Sequence, residues 1–301
     1  MMAPHSMENA APAAVAAPGT RNGALLDFAR RMGRKPLGVA GLVVAVVLIF
    51  TAVFAPFISP YDPYDTHYGD LRQPPSFKYL LGSDQFGRDQ LSRIIWGARI
   101  SLYVGIVAVA IGTTTGALLG LLSGYAGGKM DLAIQRLMDT IQAFPLLVLA
   151  LTIVAALGSS VGNVIFALSV VLVPQAARVV RSSAIAITQA QFVDAARAIG
   201  AGNIRILFVH VLPQCVTPYI IIATAGIGWA ILVEASLSFL GLGTPPPIPS
   251  WGGMLSGEGL NFAQSSPWLA IYPGLSISLA VFAFSLLGDA LRDVLDPRLK
   301  R

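Results

Sequence analysis

The chain has 301 residues, of which 55% are hydrophobic and only 12% charged, and its formal net charge at pH 7 is +5. A soluble domain would carry about 25% charged residues, so this composition, gathered in long apolar blocks, indicates a membrane protein. The single cysteine, Cys215, excludes an internal disulfide framework. The positive charges flank the apolar blocks, which favours membrane topology over nucleic-acid binding as their origin.

Six apolar blocks are long enough to cross a bilayer, which takes about 20 helical residues. In chain order they are Leu37–Ser59, Ile100–Tyr125, Leu132–Leu157, Val161–Val180, Val216–Leu242 and Leu269–Leu287. Pro145 and Pro174 fall inside the third and fourth blocks, where they are expected to kink or locally unwind the helix. The first twenty residues show no periodicity and predict a disordered tail.

The distribution of Lys and Arg predicts the orientation, because these residues predominate on the cytoplasmic side. With the N-terminus inside, the outer side holds only Arg72, Lys78, Arg88, Arg93 and Arg99 of the 20. Both termini and the loop 188–213 are therefore predicted to be cytoplasmic. The expected organisation is a cytoplasmic tail (1–36), a first span with its outer loop (37–99), a transmembrane core (100–290) and a C-terminal tail (291–301).

The two predicted outer segments are rich in proline, which makes them stiff and poor in regular structure. The prolines are Pro60, Pro63, Pro74 and Pro75 in one segment and Pro245, Pro246, Pro247 and Pro249 in the other. The segments are either rigid connectors or a docking surface for an external partner.

Four glycines follow one another at intervals of four in the second block: Gly112, Gly116, Gly120 and Gly124. On a helix this spacing forms one stripe, and it lets the backbone of another helix approach closely. The stripe predicts helix packing and does not indicate which element is packed.

The loop 188–213 predicts two short helices at the membrane face. Phe192, Ala196 and Ile199 fall at helical spacing, and Gly200 and Gly202 then end the first helix. Asn203 is a candidate N-cap for the second, and Pro213 is expected to end it. The small residues of the first helix favour insertion into a protein groove over burial in lipid.

This loop resembles the EAA loop of ABC-importer permeases. The resemblance rests on Asp194-Ala195-Ala196, then Gly200 after three residues, and His210-Val211-Leu212-Pro213 after nine more. It implies that the loop docks into a cleft of a cytoplasmic ATPase. Asp194 stands where the family has Glu, and His210 where it has an aliphatic residue.

Further stretches resemble one branch, the dipeptide/oligopeptide/nickel permeases, and its second, C-type subunit. They are Leu80-Leu81-Gly82-Ser83-Asp84 with Gly87-Arg88-Asp89, Met138-Asp139 with Phe144-Pro145, Glu234 to Gly243 with Trp251-Gly252, and Gly288-Asp289 with Leu295-Asp296-Pro297-Arg298. The resemblance implies a six-span, all-α type I importer permease in the bacterial inner membrane, forming half of the translocation pathway. It also implies a paralogous permease, two ATPases that bind ATP and Mg, and an external substrate-binding protein, with no cofactor or metal held by this chain. The substrate is left open among di- or oligopeptides, glutathione-like compounds and nickel chelates.

Two acidic residues, Asp139 and Glu234, lie inside predicted spans, where a charge normally faces the bundle interior or water. Each is either a pathway residue or a structural one. Asn163 and Ser236 are candidates for the same pathway.

Proteins of other classes fit less well. Gly158-Ser159-Ser160-Val161-Gly162 matches G-x-S-x-G, but a serine hydrolase needs this motif between a strand and a helix. The stretch Ser123–Met130 lacks the opening Gly and the final Ser or Thr of a phosphate-binding loop. An ion-coupled secondary transporter would not need the loop 188–213.

Overall fold

The computed structural model describes residues 30–259 and 261–295. Most of both predicted tails, and the last part of the C-terminal signature, lie outside these residues. The described chain is built from helices and contains no strand, which confirms the predicted all-α class.

The helices follow one another along the chain with short connections, apart from two long loops. They are α1 Pro36–Val53, α2 Ala55–Ile58, α3 Gln90–Ala126, α4 Gly128–Gln142, α5 Leu146–Leu157, α6 Val161–Thr188, α7 Gln191–Ala198, α8 Asn203–Arg205, α9 Leu212–Phe239, α10 Trp251–Met254 and α11 Trp268–Leu295. A widened π-helical turn, Ile206–Val211, joins α8 to α9. In the described chain, five helices are long and apolar enough to cross a membrane, and the number is six when the bent pair of α4 and α5 is counted as one span.

The bundle has two distinct ends. The α7 end carries residues 189–211 and the turn between α3 and α4. The loop end carries residues 59–89, 240–259 and 261–267. Near the α7 end, Lys35 before α1 forms a 2.7 Å ion pair with Asp293 of α11.

Helix α3 packs along α6 through the glycine stripe. A Cβ added to Gly112, Gly116 or Gly120 would lie only 2.2–2.5 Å from the carbonyl oxygens of Ser169, Val173 and Ala177 respectively. Gly124 faces the carbonyl of Arg181 in the same way, at 2.8 Å. The contacted carbonyls are also spaced by four, so two helical ridges of the same period lie against each other.

Helix α1 packs on α11 with small residues at helical spacing. Gly38 and Gly41 face Ala290 and the carbonyl of Ala283, and Ala45 continues the buried stripe. The outward side of α1 stays apolar and exposed, as suits a helix in lipid.

The third predicted span is broken. Helices α4 and α5 meet at an angle of 84°, with Ala143, Phe144 and Pro145 at the corner. Pro145 has no N–H to donate and disfavours a helical conformation in Phe144, so the chain leaves the helix here. Pro174, by contrast, lies inside α6, which continues through this position as one helix.

The second and fifth spans are longer than their apolar blocks. Helix α3 begins at Gln90, where the Asp89 carboxylate caps it by accepting a 2.8 Å hydrogen bond from the Ser92 N–H. At the other end of the bundle, the helix that starts at Asn203 runs to Phe239. Its 37 residues span about 55 Å, much more than the roughly 30 Å hydrocarbon core, so part of it projects from the membrane.

Candidate functional site

The α7 end presents an exposed helix with one buried edge. Val193 and Ala196 are buried against the bundle, while Phe192 and Ile199 are 48% and 87% exposed. The inward face is therefore formed by Val193 and Ala196. Of the three residues at helical spacing in the sequence, only Ala196 is buried. Ala195 is exposed on the outer side of the helix.

Asp194 is also exposed, and its carboxylate lies 3.1 Å from the Arg197 guanidinium one turn further on. Such an exposed pair contributes little to stability. Both charges therefore remain available to a partner that docks on this helix.

Gly200 ends α7 in a Schellman motif. Its φ is +85°, its N–H donates to the carbonyl of Arg197, and the N–H of Ala201 donates to the carbonyl of Ala196. These are the two reversed hydrogen bonds that define the motif, and they require a left-handed residue at this position. The sequence placed the turn correctly, and the structure supplies its geometry.

The second predicted helix differs from expectation at both ends. Gly202 is the N-cap and Asn203 the first helical residue; the Asn203 carbonyl accepts a 2.9 Å hydrogen bond from the Tyr125 hydroxyl of α3. Pro213 does not end the helix. It lies in the first turn of α9, directly after the π-helical turn, in which the Leu212 N–H donates to the carbonyl of Leu207. The wide turn lets the chain pass a residue that has no N–H to donate.

The π-helical turn anchors the segment to the bundle. Ile206 and Val211 are fully buried, and the His210 ring lies 6.3 Å from the Phe192 ring, centroid to centroid. Ile204 and Phe208 remain exposed beside α7. The α7 end is thus held to the bundle by buried residues on its inner side, and its outer surface carries both exposed apolar side chains and exposed charges.

The predicted pathway residues are dispersed. Asp139 is exposed on α4 and forms a 2.7 Å ion pair with Arg178. Asn163 donates from its amide to the carbonyls of Leu157 and Gly158, which ties the turn between α5 and α6. The half-buried Ser236 donates its hydroxyl to its own helix at the Leu232 carbonyl.

Glu234 is fully buried near the loop end. Its carboxylate accepts hydrogen bonds from the hydroxyls of Ser101 (3.1 Å) and Ser238 (2.7 Å). These hydroxyls in turn accept from the N–H groups of Trp251 and Thr244. Through these hydrogen bonds, Glu234 helps to hold Thr244 and Trp251, which follow α9, against α3 and α9.

A cavity of about 380 Å³ lies between α3, α6, α9 and the corner of α4 and α5. It is lined by Thr113, Gln142, Leu146, Val171, Leu172, Gln175, Ile222, Ala225, Gly226 and Trp229. None of the four predicted pathway residues lines it. The sequence does carry a signal for this cavity, since Gln142 and Gln175 are polar, uncharged residues inside two predicted spans. Neither was among the predicted pathway residues.

The loop end is held by buried polar groups. Asp84 forms ion pairs with Arg88 (2.6 Å) and Arg93 (3.4 Å), and all three are buried. Nearby, hydrogen bonds from Lys78 and Tyr79 hold the pKa of the Asp70 carboxyl below its usual range. This network brings together the stretch 80–89 singled out in the sequence.

The structure of this network explains why residue 87 is a glycine. Its φ is +73°, and a Cβ there would lie 1.9 Å from the His67 carbonyl oxygen. Neither the conformation nor the space admits a side chain.

The G-x-S-x-G stretch is a helix cap. The Ser160 hydroxyl accepts a 3.1 Å hydrogen bond from the Asn163 N–H at the start of α6, and helices lie on both sides. The strand that a nucleophile elbow requires is absent from this part of the described chain.

Comparison with known sequences agrees with this architecture. The family described as the inner-membrane component of binding-protein-dependent transport systems matches residues 116–301. The chain therefore belongs to this family and is the permease subunit of an ABC importer, a non-catalytic, multi-pass component of the bacterial inner membrane.

Further comparisons identify the branch of this family to which the chain belongs. Residues 24–75 match the N-terminal transmembrane domain of oligopeptide transport permease C. A dipeptide transport permease of Alkalihalophilus pseudofirmus is 43% identical over 90% of this chain and 89% of its own length. A di/tripeptide permease of Pseudomonas aeruginosa is 42% identical (92% and 93%), and a glutathione permease of Pectobacterium atrosepticum 43% identical (91% of each). The chain is a C-type permease of the dipeptide/oligopeptide branch.

Proposed function

We propose that this chain forms half of the translocation pathway of an importer for di- or oligopeptides. Support for the substrate class comes from relatives that are similar over nearly their whole length and are described as dipeptide or di/tripeptide permeases. A glutathione-like substrate is the second candidate, because an equally similar relative is a glutathione permease. Glutathione is itself a small peptide derivative, so the two candidates share an amide backbone.

The other half would come from a paralogous permease. The 380 Å³ cavity is open at the surface of this chain, since Leu146 and Gln175 both line it and are exposed. A second bundle placed against this side would close it. An external substrate-binding protein would deliver the substrate at the loop end.

The α7 end is the proposed contact with the ATPases, of which the complete importer would have two. The observation that carries this proposal is the form of the segment: Ala195 and Asp194 are exposed, Val193 and Ala196 fix the helix from behind, and Gly200 sets the turn. Asn203, His210 and Pro213 would act by holding the segment to the bundle. ATP and Mg would bind to the partner subunits.

The orientation is part of the same proposal: the α7 end is cytoplasmic. To test it, Cys215 is replaced by Ser, and single cysteines are introduced at two exposed positions at opposite ends of the bundle. Lys129→Cys lies in the first turn of α4, and Ser159→Cys lies in the connection between α5 and α6. A membrane-impermeant maleimide added outside intact cells should label Ser159→Cys alone. Preferential labelling at position 129 would reverse the orientation.

The ATPase contact is tested with Ala195→Trp, which enlarges the exposed face of α7, and with Ala133→Trp as a control on the exposed face of α4. Ala195→Trp should abolish co-purification of the ATPases and peptide uptake while leaving the membrane level of the permease unchanged. Full co-purification of the ATPases with Ala195→Trp would exclude α7 as the docking helix.

A further inference from the structure

The cavity at the corner of α4 and α5 contains three polar side chains and no charge. Thr113, Gln142 and Gln175 line it, together with the Trp229 ring and aliphatic side chains, and none of its described lining residues is Asp, Glu, Lys or Arg. Its volume of about 380 Å³ falls in the usual range of small-molecule sites.

The cavity lies far from the α7 end of the bundle. Thr113 and Gln175 are each 13 residues from the α7-side ends of their helices, Ala126 and Thr188, which corresponds to about 20 Å. This distance places them well inside a bilayer whose hydrocarbon core is about 30 Å thick. Polar side chains at such a depth are costly and usually serve a pathway.

The two glutamines have unused hydrogen-bonding capacity. The Thr113 hydroxyl donates to the Val109 carbonyl of its own helix at 2.6 Å. Within the described residues, neither the Gln142 nor the Gln175 side chain has a hydrogen-bond partner. A carboxamide offers two N–H donors and one acceptor oxygen, which is the same set of groups that a peptide bond needs from a binding site.

The corner brings one of these groups into place. Gln142 is the last residue of α4 and Leu146 the first of α5. The 84° bend between the two helices lets both residues line one cavity beside α6 and α9. A continuous helix would direct residues 142 and 146 along one straight face instead.

We propose that Gln142 and Gln175 bind the backbone amides of the peptide in transit, with the Trp229 ring and the aliphatic wall contacting its side chains. The inference rests on the proposed function and names the site within it. Because the lining carries no charge, the site recognises what all peptides share and does not select by their net charge. Glu234 and Asp139 lie outside this site.

The first test measures uptake by proteoliposomes containing the complete importer. Three labelled dipeptides, one neutral, one acidic and one basic, are compared in wild type, Gln142→Leu, Gln175→Leu and Gln175→Glu. Each Leu variant should reduce kcat/KM about five-fold for all three peptides alike, as expected for one lost hydrogen bond. Gln175→Glu should reduce uptake of the acidic peptide several-fold more than that of the basic one.

The matched control is Phe166→Leu, nine residues before Gln175 on α6 and hence on the opposite side of the helix; it should transport all three peptides normally. Leu variants equal to this control, or a Gln175→Glu effect that does not depend on peptide charge, would overturn the site. If the wild-type importer took up none of the dipeptides, the proposed function would fail together with the site. Wild-type uptake with unaffected variants would remove the site alone.

A second measurement does not depend on transport by the variants. In a chain with Cys215→Ser, Gln175→Cys should react with a water-soluble methanethiosulfonate, and the neutral dipeptide supplied with binding protein and ATP should slow this reaction several-fold. Phe166→Cys should show no protection. Absence of protection at position 175 in the assembled complex would contradict the proposal.

Discussion

The Tyr125 hydroxyl at the end of α3 donates a 2.9 Å hydrogen bond to the backbone carbonyl of Asn203, directly after the turn that follows α7. It therefore joins a membrane-spanning helix to the segment proposed to contact the ATPases. The Asn203 side-chain Oδ1 lies 3.3 Å from the same hydroxyl, so a substitution of this side chain removes the weaker acceptor and leaves the backbone one in place.

Tyr125→Phe should weaken the coupling of ATP hydrolysis to transport. Loss of this hydrogen bond costs about 1 kcal/mol, so we expect a several-fold decrease in peptides imported per ATP hydrolysed, with assembly retained. Proteoliposomes with enclosed ATP measure both rates. Tyr103→Phe, on the exposed part of the same helix, is the control and should keep the wild-type ratio; an unchanged ratio in Tyr125→Phe would show that the bond carries no coupling.

Gly200→Val should disrupt the turn after α7, whereas Gly200→Asn should largely preserve it. A left-handed conformation costs a residue with a Cβ about 1–2 kcal/mol, while Asn adopts it more readily than β-branched residues. No atom lies within 4 Å of the added Cβ, so backbone strain is the only difference. Co-purification of the ATPases should fall for Val and persist for Asn. Equal losses in both variants would indicate a requirement for glycine itself.

Gly116→Ala should destabilise the bundle. The added methyl would lie 2.3 Å from the Val173 carbonyl oxygen, and overpacking of this kind costs about 1–3 kcal/mol. Thermal unfolding in detergent should show a decrease in Tm of several degrees. Gly162→Ala at the start of α6 is the control: its Cβ meets no atom within 4 Å, so the helix should be unchanged or slightly stabilised.

Glu234→Leu should loosen the loop end without changing substrate preference. The variant leaves the Ser101 and Ser238 hydroxyls without their acceptor, at a cost of about 1–3 kcal/mol. Limited proteolysis should cut the segment 240–254 faster, while the relative uptake of acidic, neutral and basic peptides stays constant. Glu234→Gln keeps one acceptor oxygen and should be intermediate. A change in the preference for peptide charge would return Glu234 to the pathway.

The sequence predicted the spans well because apolar length is a local property. It also located the turn after α7, because Gly200 and Gly202 are strong local signals. Pro213 misled the prediction, since a proline ends a helix or occupies its first turn depending on the residues before it. In this chain the π-helical turn precedes Pro213, which lies in the first turn of α9.

The cavity could not be predicted in the same way. Gln142 and Gln175 are 33 positions apart and uncharged, so neither composition nor periodicity links them. Only the 84° corner at Pro145 and the packing of α4 and α5 against α6 bring them together. Glu234 attracted attention because a charge in an apolar block is conspicuous. Of its two serine partners, Ser238 is four residues away on the same helix, whereas Ser101 is brought to it only by the fold.

The glycine stripe also restricts how the permease can change shape. Because Gly112, Gly116, Gly120 and Gly124 each lie against a carbonyl of α6, sliding α3 by one residue would press side chains into the backbone of its neighbour. The two helices must then travel as a single unit during a transport cycle. We therefore expect any change between an inward-facing and an outward-facing opening to occur at the corner at Pro145 and at the contact with the proposed paralogous permease. A cross-link between α3 and α6 should then be tolerated, whereas one across the corner should not.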